Sequence, residues 1–167
     1  MNQFLLLILA IGLLLLGAVY GLPYLQKPNP DDLASVAISA SDSSERVVAA
    51  QELSRMEGEQ AQNAVRKVLS ESDDEQVIAV CIQSAARSLD YECIDFIIEQ
   101  LDSQSVNLRA TAAKALIKLL GRNFHFPVRG KQADRDAVKQ QIIEDWKAYD
   151  GSPLYKINQK RFGNENG

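Results

Sequence analysis

The residue best suited to acid–base or metal chemistry is His125, the single histidine of the chain. A general base needs a nucleophile or another partner, and a metal site needs further ligands. No such residue accompanies His125, which lies between Phe124 and Phe126 and is followed by Pro127. We therefore interpret the two phenylalanines as a plug for the end of a helical domain and expect His125 to face water.

Carboxylates form three clusters, at residues 31–32, 73–75 and 134–136. Each cluster falls at the predicted start of a helix, where carboxylates accept hydrogen bonds from free N–H groups and complement the helix dipole. A calcium loop would alternate Asp and Asn around a central glycine, and the sequence contains no such loop. The sequence thus predicts helix caps here, and also at Asp90 before the fifth predicted helix. It predicts no catalytic residue, cofactor-binding residue or metal ligand.

Two cysteines, Cys81 and Cys93, fall on successive predicted helices. Their number and spacing match neither a disulfide framework nor a metal site. In a hairpin of those two helices they would be out of level by roughly five residues. We expect two free, mostly buried thiols, which argue mildly against an oxidising compartment.

A binding surface is predicted by polar residues that recur at steps of 32 and 31 residues. Columns of equivalent side chains on repeated helices can contact a protein partner. A second interpretation remains open, because Arg55, Arg87 and Lys118 each fall in the last turn of a predicted helix, where the dipole favours positive charge. The candidate partner-binding residues are Gln51, Arg55, Gln83, Arg87, Lys114 and Lys118.

These residues belong to a longer repeat of 31–32 residues. Apolar residues coincide in one register, as in Leu33, Val65 and Ile97, and small residues coincide in a second register. Both registers follow the i, i+3, i+4, i+7 spacing of a helix face, so each repeat contains two helices. Repeats of this length built from helix pairs are typical of α-solenoids. The predicted helices span residues 31–39, 44–56, 59–70, 74–88, 91–101, 105–120 and 134–149.

Residues 108–121 (LRATAAKALIKLLG) resemble the second-helix pattern of HEAT and HEAT-like repeats, in which Arg precedes paired small residues, a leucine and a closing glycine. Residues 45–53 are a weaker copy. The resemblance implies a short right-handed α-solenoid of about three helix pairs over residues 31–121 and a protein-binding scaffold. It also implies that second helices line the concave surface, with rungs about 10 Å apart.

Two segments follow the repeats. Residues 122–150 are predicted to form an aromatic loop and a C-terminal capping helix, in which Trp146 docks over the third repeat. Residues 151–167 contain Gly, Asn and charged residues but few apolar ones, and we expect a flexible tail.

The amino-terminal segment 4–22 contains no charged side chain. As a helix it would measure roughly 28 Å, close to the ~30 Å hydrocarbon core of a bilayer. After a tip at residues 1–3, we predict a transmembrane signal anchor, followed by a proline-rich linker at residues 23–30; a cleaved signal peptide is the alternative. Lys and Arg near the ends of a span set its orientation, and here only Lys27 follows the segment and none precedes it. We expect the domain to be exported, because short amino-terminal anchors commonly behave as uncleaved signals.

Charge is divided along the chain. Residues 31–120 carry 16 acidic and 8 basic side chains, a net charge of −8, which argues against nucleic acid as a partner. We expect a non-catalytic, membrane-tethered HEAT-repeat scaffold that needs no cofactor and binds protein partners. The alternatives are a HEAT-like lyase-type enzyme and an assembly subunit of a membrane complex, and the oligomeric state stays open.

Overall fold

A computed structural model describes residues 28–149, with side chains to residue 148, and this range contains helices and no β-strand. The prediction of an all-α fold is confirmed. Five of the seven predicted helices match to within two residues at each end; the second, predicted to end at residue 56, ends at Leu53, and the fifth, predicted to begin at residue 91, begins at Ile94. The α-helices are α1 Pro30–Ser39, α2 Ser43–Leu53, α3 Glu59–Glu71, α4 Glu75–Arg87, α5 Ile94–Glu99, α6 Val106–Leu120 and α7 Gln132–Tyr149.

Helix starts are set by polar side chains at the N-cap. Asp42 accepts a hydrogen bond from the backbone of Ser44, and Asp74 accepts from the backbone of Gln76. Such caps satisfy N–H groups that have no partner within the helix. At the other end of α6, Gly121 adopts a left-handed conformation with φ of 67°, which glycine adopts without a Cβ clash.

Helices pack as three pairs in two layers. The pairs are α1 with α2, α3 with α4, and α5 with α6; the second helices α2, α4 and α6 form a contiguous row. Alanines such as Ala50 and Ala112 are fully buried in that row and allow close approach of neighbouring backbones. Leu53, Ile82 and Leu116, one from each second helix, are also fully buried. A single core therefore runs through all three pairs.

Two arginines at equivalent repeat positions stabilise the turns between helices by donating hydrogen bonds to backbone carbonyls. Arg46 Nη1 donates to the carbonyl of Ala40 at 2.7 Å, and Arg109 Nη1 donates to the carbonyl of Ser103 at 2.6 Å. In both cases the acceptor lies six residues earlier in the chain. The second repeat has Ile78 at this position, and its side chain is buried.

The C-terminal end of the stack is covered by the loop after α6 and by α7. Phe124 and Ile142 are buried, while Trp146 packs partly buried against the core. The indole Nε1 of Trp146 donates to Asp95 Oδ1 of α5 at 2.9 Å. Aromatic packing, this hydrogen bond and an ion pair of Lys139 with Asp102 thus hold α7 against the third helix pair.

The predicted membrane architecture requires a correction. A spanning helix must be apolar over about 20 residues, and no helix within residues 28–149 is long and apolar enough. The longest, α7, has 18 residues and carries charges throughout. The predictions of a transmembrane helix, a single-pass protein and a membrane location are therefore wrong for the fold described. The segment behind them, residues 4–22, lies outside the described residues, as do the tip, most of the linker and residues 151–167.

Candidate functional site

The predicted binding residues lie on the exposed side of the row formed by α2, α4 and α6, here called the second-helix surface. All six side chains are exposed to solvent. Arg87 is the last residue of α4, and Lys118 lies in the last turn of α6. Arg55 differs, because α2 ends at Leu53 and leaves Arg55 in the following turn. Arg87 and Lys118 therefore lie at equivalent ends of their helices, whereas Arg55 is displaced from that position.

A groove of about 390 Å³ separates α4 from α6 on this surface. We call it the α4–α6 groove. Buried alanines form its floor, and polar or basic side chains form its sides. The lining residues are Gln83, Ala86, Thr111, Lys114, Ala115 and Lys118.

A second cavity, of about 440 Å³, lies where the turn after α2 meets the end of α4. We call it the α2–α4 cavity. It brings Arg55 and Arg87 together beside Gly58 and Asp90. Gly58 has a φ of 98°, a backbone conformation that other residues rarely adopt, although its surroundings would leave room for a Cβ. The predicted row of three cations is thus divided between two concavities, and Gln51 lines neither.

Two carboxylates line the α2–α4 cavity: Glu57, which is exposed, and Asp90, which is already paired. Arg66 holds both carboxylate oxygens of Asp90 at 2.8 Å, and its Nη1 also contacts Glu92 at 2.7 Å. The Asp90 side chain is only 2% exposed. Its hydrogen bond and charge raise the pKa of Arg66, so the guanidinium stays protonated. Asp90 is therefore committed to Arg66.

The cations of the second-helix surface, in contrast, have no such partners. Within residues 28–149, the ion pairs involve other cations: Arg46, Arg66, Arg122 and Lys139. The basic side chains that line the two concavities make no ion pair with a described residue. These free cations are Arg55, Arg87, Lys114 and Lys118.

Sequence reasoning missed the arginine pairs. Asp74 and Asp90 were predicted only as helix caps, and both also receive an arginine, Arg46 and Arg66 respectively. The capping role was the one available signal, because an N-cap carboxylate beside a turn is accessible to a neighbouring repeat. The partner itself, 28 or 24 residues away, carries no sequence signature.

The remaining chemical candidates are His125 and the two cysteines. His125 is exposed, with a φ of 51°, and its backbone N–H donates to Asn123 Oδ1 at 2.9 Å. Cys81 and Cys93 are free and buried, and burial raises the pKa of each thiol to about 12. The described part of the chain brings no three His, Cys, Asp or Glu side chains together in a way that could hold a metal ion.

Comparison of the chain with protein-family models, with curated proteins and with solved structures finds no match. The HEAT-like assignment therefore stays a prediction. Its support comes from the pattern in residues 108–121, the weaker copy in residues 45–53 and the helix pairs themselves.

Proposed function

We propose that residues 28–149 form a non-catalytic, HEAT-like interaction module whose second-helix surface binds an acidic segment of a protein partner. One observation carries the proposal: four cations that form no ion pair within residues 28–149 line the α2–α4 cavity and the α4–α6 groove of a strongly acidic region. Elsewhere in that region, Arg46 and Arg66 are paired with carboxylates and Arg109 with backbone carbonyls. Unpaired cations that share one surface are available to a ligand.

The α4–α6 groove is suited to an extended acidic chain. Ala86 and Ala115 keep its floor low and apolar, while Lys114 and Lys118 lie one helical turn apart along one side. Carboxylates of a ligand would gain charge-assisted hydrogen bonds from both lysines. Gln83 adds an amide on the α4 side that can bind a backbone group.

The helix dipole explains only part of this pattern. It accounts for Arg87 and Lys118, which lie in the last turns of α4 and α6. It does not account for Lys114, which lies before the last turn of α6, or for Arg55, which lies beyond the end of α2. Binding gives one reason for all four cations.

Affinity for a short glutamate-rich peptide, measured by fluorescence anisotropy on the full chain, tests the proposal. We expect Lys114→Glu with Lys118→Glu to weaken binding about tenfold, equivalent to about 1.4 kcal/mol. Binding to the unmodified protein should also weaken as salt concentration rises, because exposed charges are screened.

A matched control is Lys67→Glu with Lys147→Glu, which makes the same change of net charge. Both lysines are exposed and form no ion pair among the described residues, but they lie on α3 and α7. This control variant should bind almost as the unmodified protein does. Equal weakening by the two double variants would show that net charge alone matters and would refute the assignment to the second-helix surface.

A further inference from the structure

The first helix pair carries an apolar groove at the opposite end of the stack from α7. It lies between α1 and α2 and has a volume of about 370 Å³. We call it the end groove. Apolar side chains form its floor, and carboxylates and one serine form its rim. The lining residues are Leu33, Val36, Ser44, Glu45, Val48, Ala49 and Glu52.

The floor of the end groove is unusually exposed. Val36 is 42% exposed and Val48 is 53% exposed. Within residues 28–149 only one other large apolar side chain, Ile117 at 37%, belongs to this exposed class. Two of the three exposed side chains therefore share one groove, which indicates a contact surface more strongly than scattered apolar residues would.

The second repeat shows how deeply the equivalent residues are buried when other helices cover them. One repeat later, Val36 corresponds to Val68, which is fully buried, and Val48 corresponds to Val80, which is half-buried. The helices that cover them are α1 and α2, packed against α3 and α4. The floor of the end groove thus has the composition of a helix–helix interface but has no helix from residues 28–149 upon it.

The rim of the end groove carries two glutamates that have no acidic counterpart in the next repeat. Glu45 and Glu52 are exposed and make no ion pair with any residue in the described range. One repeat later, the corresponding residues are Val77 and Ser84, and both are buried. A helix that covered the end groove would therefore meet carboxylates on its flanks where the internal layer has none.

We propose that the end groove docks an amphipathic helix of a partner protein whose apolar stripe is flanked by Lys or Arg. The stripe would cover Val36 and Val48, as α1 and α2 cover the second repeat. The flanking cations would pair with Glu45 and Glu52. This is helix-in-groove recognition at the usual interaxial distance of about 8–10 Å. It is independent of the second-helix surface, which has the opposite charge.

Three synthetic peptides serve as probes for the full chain. The first is a Leu/Lys helix with leucines on one face, and the second has the same composition in scrambled order. The third, the Leu/Glu helix, replaces every lysine of the first by glutamate. We expect the Leu/Lys helix to bind at least tenfold more tightly than either of the others. Equal binding of the ordered and scrambled Leu/Lys peptides would overturn the proposal, because net charge alone would then explain the affinity.

Two variants assign that binding to the end groove. Val36→Ser with Val48→Ser should weaken the Leu/Lys helix about tenfold, whereas the control Ile117→Ser should not. Glu45→Lys with Glu52→Lys should reverse the preference in favour of the Leu/Glu helix. All of these positions are exposed, so the substitutions should leave the fold intact. Unchanged affinities in both double variants would overturn the proposal.

A photo-crosslinking amino acid at position 48 of the full chain tests whether something other than a partner helix already occupies the end groove. Free protein that crosslinks to its own residues 1–27, or to a second copy, would overturn the proposal, because the groove would already be filled. Crosslinking that requires added Leu/Lys helix, and that the Leu/Glu helix does not replace, supports a basic amphipathic partner.

Discussion

The turns of the stack and its second-helix surface use positive charge differently. Side chains directed to the turns are paired: Arg46 with Asp74, Arg66 with Asp90, and Arg109 with backbone carbonyls. On the second-helix surface, Arg87 and Lys118 have no ion pair within residues 28–149. For Lys114 and Lys118 the difference follows from the acceptors, since turns expose carbonyls and N-cap carboxylates whereas the α4–α6 groove that they line includes no carboxylate. Arg87 lines the α2–α4 cavity with Glu57 and Asp90 and forms an ion pair with neither. Charge at the turns stabilises the fold, and charge on the second helices remains available for binding.

Replacing the buried arginine at a turn should have the largest effect on stability. Arg109 donates to the carbonyls of Val128, Ser103 and Gln104, and the residue is 7% exposed. Arg109→Met should lower the free energy of unfolding by about 2–4 kcal/mol, because buried acceptors lose their donor. Urea unfolding of this variant and of Lys114→Met, an exposed control on the same helix, measures the difference. Equal losses would abolish the distinction between turn and surface.

The next largest effect concerns the bidentate pair of Arg66 with Asp90. Asp90→Asn keeps the shape of the side chain but removes the charge that Arg66 faces, so we expect a loss of about 1.5–3 kcal/mol. Glu92→Gln is the control, because the Glu92 side chain is 73% exposed and should contribute less than about 1 kcal/mol. A double-mutant cycle of Asp90→Asn with Arg66→Met should show coupling; additive effects would argue against the pair.

Acidification should reveal how much the pair of Arg46 with Asp74, at the turn before α4, contributes to stability. Hydrogen bonds, first from Ser43 and then from Arg46, lower the pKa of Asp74 from 3.8 to about 2. Because the folded-state pKa is the lower one, the stabilisation is complete above the unfolded-state value and is lost as pH falls towards 2. We expect this group to contribute about 1–2 kcal/mol to the loss of stability between about pH 5 and pH 2.

Unfolding free energies of Asp74→Asn at those two pH values measure that contribution. The variant should be less stable than the unmodified protein at the higher pH and should lose less stability on acidification. Asp73→Asn, at the adjacent exposed carboxylate, is the control and should retain the acid dependence of the unmodified protein. An unaltered acid dependence in Asp74→Asn would contradict a role for this carboxylate.

The smallest effect on stability should come from the second-helix surface. Arg87→Ala with Lys118→Ala removes two exposed cations, and we expect a total loss of less than about 1 kcal/mol, the size of a dipole interaction. The same variant should bind the glutamate-rich peptide more weakly. A loss above about 2 kcal/mol with unchanged peptide binding would show that these cations serve the fold, and the contrast between the two regions would disappear.

Much of the fold is readable from the sequence, because local periodicity and caps determine it. The 3.6-residue spacing located the helices, and Gly121 correctly marked the end of α6. The fifth helix was predicted as one element but consists of α5 between 3₁₀ turns at Tyr91–Cys93 and Gln100–Asp102. An apolar pattern does not distinguish those turns from an α-helix, because the i, i+3 spacing is common to both.

The binding surface was less predictable, because it depends on where a helix stops. The helix predicted to end at residue 56 ends at Leu53, so Arg55 turns into the α2–α4 cavity instead of continuing the column. Gly58, with its positive φ, completes that turn. The commitment of Asp90 to Arg66 depends on packing between repeats and has no local sequence pattern.

The cover that α7 places over the third helix pair also limits self-assembly. Head-to-tail growth would require the first pair of one molecule to stack on the last pair of the next, and Phe124, Ile142 and Trp146 occupy that position. A stack that is closed at one end cannot propagate by this head-to-tail contact. Association of two copies through their first pairs would stop at a symmetric dimer, so the fold resists open-ended polymerisation.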